Sequence, residues 1–430
     1  MERSGVGVAE RVINHEMKER FTASAVKRAV LLKHGDDPAI GPGQLMVRVF
    51  VEAADDEGLA AWQRAHQPGI EEFRRELSLR LPSARLLEFT YNGAGAARVD
   101  VPDDGSLAAE QLSGREIVTK AMELLRANYV FPDEAERAAA AIEARLDAGE
   151  YDGLDEITLT DRVTGHLQDI TGDKHLRLRL GGGPGPRREP PKRPDREKMR
   201  KLGRLDNFGI RRVERLDGNI GYIDLRRMAV PANAGPAIAA AMELMAGTYA
   251  LIIDMRHNGG GAPEGVVFWC SYLFDGEPTH LNDIFRADTG ETRQFWTLPY
   301  VPGTRYPDQP VYVLTSERTF SGGEDLCYTL QALGRAQVIG ETTGGGAHPT
   351  RPFPISPAVH IGIPFARSIN PVTGTNWQGT GVVPDVPEDA ERACDVAYAR
   401  ALEKVLAMDD VPPPIADDAR EALAGLQAAG

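Results

Sequence analysis

The chain has 430 residues, of which 42% are hydrophobic and 26% charged, and its formal net charge is −14. This length and composition are typical of a globular protein with two or three domains. The negative charge argues against a nucleic-acid partner, and no apolar run is long enough to span a membrane. Residues 1–6 lack the basic and apolar segments of a secretory signal, so the sequence predicts a cytoplasmic protein.

The cysteine pattern argues against a disulfide framework and against a zinc site. Cys270, Cys327 and Cys394 are odd in number and widely spaced. Such residues are typical of buried thiols. The chain also has no His-Glu-x-x-His or Cys-x-x-Cys motif, so we expect no metal and no other cofactor.

Residues 1–103 predict a small α+β domain, to which the sequence assigns no role. Alternating apolar residues indicate strands, a long amphipathic stretch indicates a helix, and Asn92-Gly93 is a turn signal. The predicted elements are a strand over 45–51, a helix over about 56–78, a strand over 85–90 and a strand around 97–101.

Residues 104–180 predict a helical bundle domain, and residues 181–204 a linker or exposed hairpin loop rich in Gly, Pro and Arg. Ser113 and Glu116 form a capping-box pattern at the first helix. The other predicted elements are a helix from Pro132 to Gly149, a helix over about 159–170 and an alternating strand over 175–180.

Residues 205–408 alternate strands and helices, which predicts a layered α/β core. The strand over 249–255 is continuously apolar, as in strands buried on both faces. The other predicted elements are strands over 220–225, 311–314 and 336–340, a helix over 237–246, and a weak helix over 418–428 in the C-terminal tail, residues 409–430.

Ser321 is the strongest candidate for a catalytic residue. It lies at the junction between the buried strand 311–314 and a following helix, where free backbone N–H groups and the helix dipole favour negative charge. A serine protease needs that geometry to hold an oxyanion. The simpler interpretation is that Ser321 only caps the helix, with Glu324 completing a capping box.

A glycine-rich loop, residues 256–261, directly follows the strand over 249–255. Its glycines let backbone N–H groups approach a ligand. A phosphate-binding loop is a poor alternative, since no Gly-Lys-Ser/Thr motif occurs. The backbone N–H groups of Gly260 and Gly322 would form an oxyanion hole at the carboxyl ends of neighbouring strands.

The ordered motifs of residues 110–408 resemble the C-terminal (tail-specific) processing peptidase family, in the branch of tricorn protease and of the interphotoreceptor retinoid-binding protein repeats. The resemblance implies a ClpP/crotonase-like layered core and Ser321 as nucleophile. The motifs are residues 220–225, 253–261, 319–321, 340–346 and 381–385, with 128–130 and 172–176 in the helical section.

The resemblance also implies a base for Ser321. Some members use a lysine after the serine, but no lysine occurs between Lys201 and Lys404. The tricorn-like branch uses a histidine before the core, and His175 matches it. His348 is a second candidate, either as the base or as a substrate-binding residue, and Glu341 is a further candidate for these roles.

The third catalytic position departs from the family, because Gln378 stands where that branch has a glutamate. A glutamine carbonyl can still set the imidazole tautomer, but it does not stabilise an imidazolium ion. Neutralising the corresponding acid in a serine protease costs about 10⁴ in turnover. The sequence leaves three alternatives open: a slow enzyme, another carboxylate such as Glu324, Glu341 or Asp173, or a site that no longer cleaves.

The sequence therefore predicts a serine endopeptidase that acts on peptides or unfolded protein segments. Residues 181–204 are too short for a PDZ domain, which many relatives use to capture substrates. A binding protein for an apolar ligand or a peptide is the alternative that Gln378 supports, and a hydrolase of other esters uses the same acyl chemistry. The sequence leaves a homo-oligomer open.

Overall fold

In the computed structural model the chain forms two compact units, Met1–Pro191 with Thr350–Phe365, and Lys192–Pro349 with Ala366–Gly430. No helix among the described residues is both long and apolar enough to cross a membrane. The predicted turn at 92–93 and most of the predicted linker lie outside the described residues. These are residues 13, 26–33, 36–37, 39–40, 44–81, 83–91, 94–100, 112–180, 196–356 and 358–429.

The first unit begins with a four-stranded sheet, and the β-α-β-β pattern predicts three of its strands. The strand Leu45–Val51 leads into the helix Asp56–Arg80, which returns the chain to pair Ala84–Tyr91 in parallel with the first strand. Ala94–Asp100 and Val26–Lys33 occupy the two edges as antiparallel neighbours. The sequence did not predict the strand Val26–Lys33.

Three helices follow in the first unit, Gly114–Asn128, Pro132–Asp147 and Glu156–Thr171. The predicted capping box of Ser113 and Glu116 is present at the first of them. The third helix begins earlier than predicted, because Asp155 accepts hydrogen bonds from the N–H groups of its first turn.

A hairpin from much later in the chain completes the first unit. The strand Arg177–Leu180 pairs antiparallel with Val359–Pro364, which in turn pairs with Thr350–Pro354. The sequence did not predict this hairpin. The hairpin therefore belongs to the same unit as the three helices, although it lies far from them in sequence. The sequence-based boundaries of the five parts stay a prediction.

The second unit is built on a six-stranded sheet whose inner strands are parallel, which confirms the predicted α/β class. Ile210–Leu216 is an antiparallel edge strand. The order of strands is Val386–Pro387, Gln337–Gly340, Val311–Thr315, Ala250–Asp254, Ile220–Leu225 and Ile210–Leu216.

Helices cover both faces of this sheet. Leu251 and Ile253 point into one apolar cluster, and Ala250 and Ile252 point into another on the opposite face. Because the strand Ala250–Asp254 is buried on both faces, its residues 250–253 form a continuous apolar run. The first cluster packs the helices Pro231–Met245, Pro263–Tyr272 and Gly322–Ala332, and the second packs Ala393–Leu406 and Pro413–Ala429.

Several elements of the second unit differ from the prediction. A helix, Arg196–Leu205, forms within the predicted linker. The helix Pro231–Met245 begins six residues earlier than predicted, because Pro231 is accommodated in its first turn. A small sheet of Thr292–Trp296, His280–Arg286 and Ala366–Ile369 was not predicted.

Candidate active site

Three loops emerge together at one edge of the six-stranded sheet. They follow the neighbouring parallel strands Ala250–Asp254, Val311–Thr315 and Gln337–Gly340. Because the carboxyl ends of parallel strands lie at the same edge, ligand sites of α/β sheets concentrate there. We call the loop that follows the last of these strands, residues 343–348, the glycine loop.

Ser321 has a strained backbone at the start of the helix Gly322–Ala332. Its φ of 54° and ψ of −124° lie outside the regions that side chains other than glycine favour. Such strain persists where surrounding contacts enforce it, and it is frequent at functional sites. One of those contacts is Gly260, where an added Cβ would lie only 2.7 Å from the Ser321 Cβ.

Two backbone N–H groups beside Ser321 have no acceptor among the described residues, and they are not the pair that the sequence predicts for an oxyanion hole. The Gly260 N–H already donates to Asn258 Oδ1 at 2.8 Å. The N–H groups of Gly261 and Gly322 donate to none of the residues that the structure describes. An added Cβ on Gly322 would lie 3.1 Å from the Gly261 nitrogen, so the two glycines are close neighbours.

Asn258 connects the loop after Ala250–Asp254 to the Ser321 turn. Its side chain is fully buried and donates to the Leu225 carbonyl at 2.9 Å. Its own carbonyl accepts the Phe320 N–H at 2.9 Å. Sequence reasoning did not single out this residue, although an asparagine directly before three consecutive glycines is a signal that could have marked it.

Glu324 accepts four hydrogen bonds at full burial. Its Oε2 accepts from the N–H groups of Ser321 at 2.7 Å and Gly346 at 2.9 Å. Its Oε1 accepts from the Gly345 N–H and from the Thr343 hydroxyl, both at 2.6 Å. A carboxylate has about four acceptor positions, so Glu324 has none left to orient a histidine. The predicted bond to the Ser321 N–H is therefore one part of a larger contact.

Trp377 and Gln378 hold the other side of the glycine loop. The indole N–H of buried Trp377 donates to the Gly346 carbonyl at 2.9 Å. Gln378 Oε1 accepts the Ala347 N–H at 2.8 Å. The Gly344 N–H donates to the Thr319 carbonyl at 3.0 Å. Since these N–H groups are bonded within the protein, the glycine loop is a support for the site and offers little to an anion.

His348 is buried at the end of the glycine loop. Glu341 lies at the start of the same connection, and its two carboxylate oxygens accept the N–H groups of Glu317 at 3.1 Å and Ala390 at 3.3 Å. These bonds give Glu341 a role in holding backbone segments. Its predicted roles as a base or a substrate-binding residue are not needed to explain its position.

His175 belongs to the first unit, directly before the strand Arg177–Leu180. Its backbone N–H donates to Asp173 Oδ1 at 3.0 Å. Asp173 Oδ2 also accepts a hydrogen bond from the Tyr129 hydroxyl at 3.1 Å. Burial, and then the Asp173 charge, raise the pKa of Tyr129. Asp173 thus fixes the backbone beside His175. The pairing of His175 with Ser321 stays a prediction.

Asp325 is a buried acid on the helix Gly322–Ala332, and its hydrogen-bond partners lie outside these loops. It accepts from Asn282 Nδ2 and from the Thr329 hydroxyl, both at 3.2 Å. Burial raises its pKa from 3.8 to about 6. Among the described residues, Asn282 Oδ1 has no hydrogen-bond partner. A protonated Asp325 satisfies this environment better than a charged one.

We expect the Asp325→Asn variant to gain stability over the parent as the pH rises. The raised pKa favours the protonated folded state, so the stabilising contribution of this carboxyl to the parent is fully present below about pH 4 and is lost as the pH rises through about pH 6. Two pKa units correspond to about 3 kcal/mol of unfolding free energy. Urea unfolding at pH 4.5 and 7.5 measures the difference, and an equal effect at both pH values would contradict the prediction.

No group of three or more His, Cys, Asp or Glu side chains suits a metal ion within the part of the chain that the structure describes. Residues 219–387 match the family description "Peptidase family S41". Residues 111–202 match "N-terminal domain of Peptidase_S41 in eukaryotic IRBP". The two matches cover five of the six strands of the sheet with the loops of the candidate site, and the helical section before them.

A curated relative, the carboxyl-terminal-processing protease of Synechocystis sp., is 28% identical over 195 residues, which are 43% of this chain and 43% of the relative. The chain therefore spans less than half the length of that relative. Among solved structures, the photosystem II D1 C-terminal processing protease has a TM-score of 0.41 and 15% identity, covering 65% of this chain and 94% of that one. Tricorn protease has a TM-score of 0.43 and 14% identity, covering 78% and 38%. The two family matches, in the expected order along the sequence, confirm the resemblance, and the chain belongs to peptidase family S41.

Proposed function

We propose that this protein is a serine endopeptidase that cleaves peptides or unfolded protein segments. The observation that carries the proposal is the strained Ser321 at a helix N-terminus, beside two N–H groups without partners among the described residues, those of Gly261 and Gly322. A helix cap needs neither the positive φ of Ser321 nor the glycine-rich loop of residues 256–261 beside it. Membership of a serine peptidase family supports the same assignment.

The proposed reaction is acyl transfer in two halves. The Ser321 Oγ attacks the scissile carbonyl carbon while His175 takes the hydroxyl proton. The N–H groups of Gly261 and Gly322 stabilise the oxyanion of the tetrahedral intermediate. His175 then returns the proton to the leaving amine, which breaks the peptide bond, and water hydrolyses the acyl-enzyme by the same route.

Labelling with a fluorophosphonate tests this proposal. Attack by an activated Ser321 Oγ on phosphorus displaces fluoride and leaves a covalent adduct, which intact mass detects. We expect the adduct on the parent chain and its loss in Ser321→Ala. The matched control is Ser113→Ala, whose hydroxyl belongs to a helix cap in the first unit. An adduct that persists in folded Ser321→Ala would refute the assignment of the nucleophile.

The alternative proposal is a binding protein for an apolar ligand or a peptide on the same scaffold. The observation that favours it is Gln378, which stands where the resemblance implies a glutamate and which bonds the backbone of the glycine loop instead. This alternative predicts no adduct on the folded parent chain and unchanged ligand binding in Ser321→Ala.

A further inference from the structure

We propose that Glu324 is a positioning residue whose carboxylate fastens the Ser321 turn to the glycine loop. For its effect on catalysis, this inference depends on the proposed function. The structural part of the inference is independent of the proposed function, because the hydrogen bonds of Glu324 exist whether or not Ser321 reacts.

The position of Glu324 suits this role. It is the third residue of the helix Gly322–Ala332, and its side chain turns back to bond the N–H of Ser321, the residue with the strained backbone. The remaining donors come from Thr343, Gly345 and Gly346 in the glycine loop. One side chain therefore joins two segments that are more than twenty residues apart in sequence.

The charge of Glu324 makes this contact stronger than a neutral one. A carboxylate accepts N–H and O–H bonds that are shorter and about twice as strong as bonds between neutral groups. A glutamine of the same size offers one carbonyl oxygen and places an amide NH₂ against donors. The bonds that are lost leave buried N–H groups unpaired, which is costly. The strained φ of Ser321 then loses one of the contacts that enforce it.

The conditions for a test follow from the titration of this side chain. Burial raises the pKa of Glu324 to about 7, and its four donors oppose that rise. The donors come from serine, threonine and glycine, which do not titrate. Cys327, on the same helix, has a pKa raised by burial and then by the Glu324 charge. Asp325 bonds Asn282 and Thr329 instead. Glu324 is charged at pH 8.5, so both tests of its carboxylate are made at that pH.

The first test uses hydrogen exchange on the full chain at pH 8.5, read by mass spectrometry on peptides that cover residues 319–326 and 342–349. In the parent chain we expect the N–H groups of Ser321, Gly345 and Gly346 to be protected. In Glu324→Gln their exchange should be at least about tenfold faster. Asp325→Asn is the matched control, because it neutralises the adjacent buried acid and should leave these groups protected.

The second test measures fluorophosphonate labelling as a function of reagent concentration. We expect Glu324→Gln to lower the maximal labelling rate by about ten- to a hundredfold, with little change in the half-saturating concentration, since a misplaced nucleophile affects the reaction more than binding. Glu324→Asp, which keeps the charge, should recover part of the rate. A general loss of packing would lower the maximal rate and also raise the half-saturating concentration, and the charge kept in Glu324→Asp would not rescue either.

The outcomes separate this inference from the proposed function. If the parent chain takes no label but Glu324→Gln speeds the exchange, the proposed function fails and the contact stands. If the parent chain is labelled, and Glu324→Gln matches it in exchange and labelling rate, the inference is overturned. Should the variant not fold, rapid exchange of Ser321, Gly345 and Gly346 in the parent chain would overturn it equally.

Discussion

We expect His175→Ala to lower peptide cleavage and fluorophosphonate labelling by about 10⁴-fold or more, because loss of the base in a serine protease removes most of the acceleration. The chain has no lysine between Lys201 and Lys404 that could serve as a base in its place. The His175 backbone N–H donates to Asp173 Oδ1, which fixes the backbone that carries this imidazole.

Two further histidine variants make this prediction decisive. His348→Ala tests the second candidate, which is the buried last residue of the glycine loop. His66→Ala is the control, because that ring stacks on Trp62 in the helix Asp56–Arg80. Initial rates at pH 7.5, with circular dichroism to confirm folding, compare the three. Near-normal rates in His175→Ala together with a lost rate in His348→Ala would transfer the role of base to His348.

The parts of the fold that could be predicted are those fixed by local patterns. The strand Ala250–Asp254 is apolar on both faces, and the helix Gly114–Asn128 carries its own capping box. The hairpin of Thr350–Pro354 and Val359–Pro364 could not be predicted, because its pairing partner is Arg177–Leu180, far away in sequence. Its short strands contain prolines and glycine, which weaken the strand signal.

Some features of the candidate site could also be predicted from the local sequence, and others depend on contacts between distant residues. Ser321 at a strand-to-helix junction was identified from its neighbours in sequence, and the structure places it at the start of a helix. The choice between Gly260 and Gly261 as oxyanion donor could not be made from three consecutive glycines, because it depends on which N–H the buried Asn258 side chain occupies. The contacts of Glu324 with the glycine loop are equally invisible in sequence.

The second large effect that we expect is a gain of activity in Gln378→Glu. The resemblance implies a glutamate at this position, and a carboxylate stabilises the imidazolium ion that forms when the base takes the Ser321 proton. Restoring that charge should raise turnover, up to about 10⁴-fold, or about 5 kcal/mol of barrier. The substitution keeps the local contact, because a glutamate oxygen can accept the Ala347 N–H as Gln378 Oε1 does.

The measurement is the turnover of an unstructured peptide pool by the parent chain, Gln378→Glu and a control, Gln337→Glu. The control adds the same charge to the second unit, next to Arg400 and outside the glycine loop. A gain confined to Gln378→Glu would mean that the parent chain is a peptidase slowed at one position. Turnover could instead be equal in all three while Ser321 is still labelled. That result would mean that the imidazolium ion of the base needs no acid at residue 378. In that case Gln378 serves only to hold the Ala347 backbone. The carboxylate that stabilises the imidazolium ion would then be sought in the first unit, where Asp173 bonds the His175 backbone N–H.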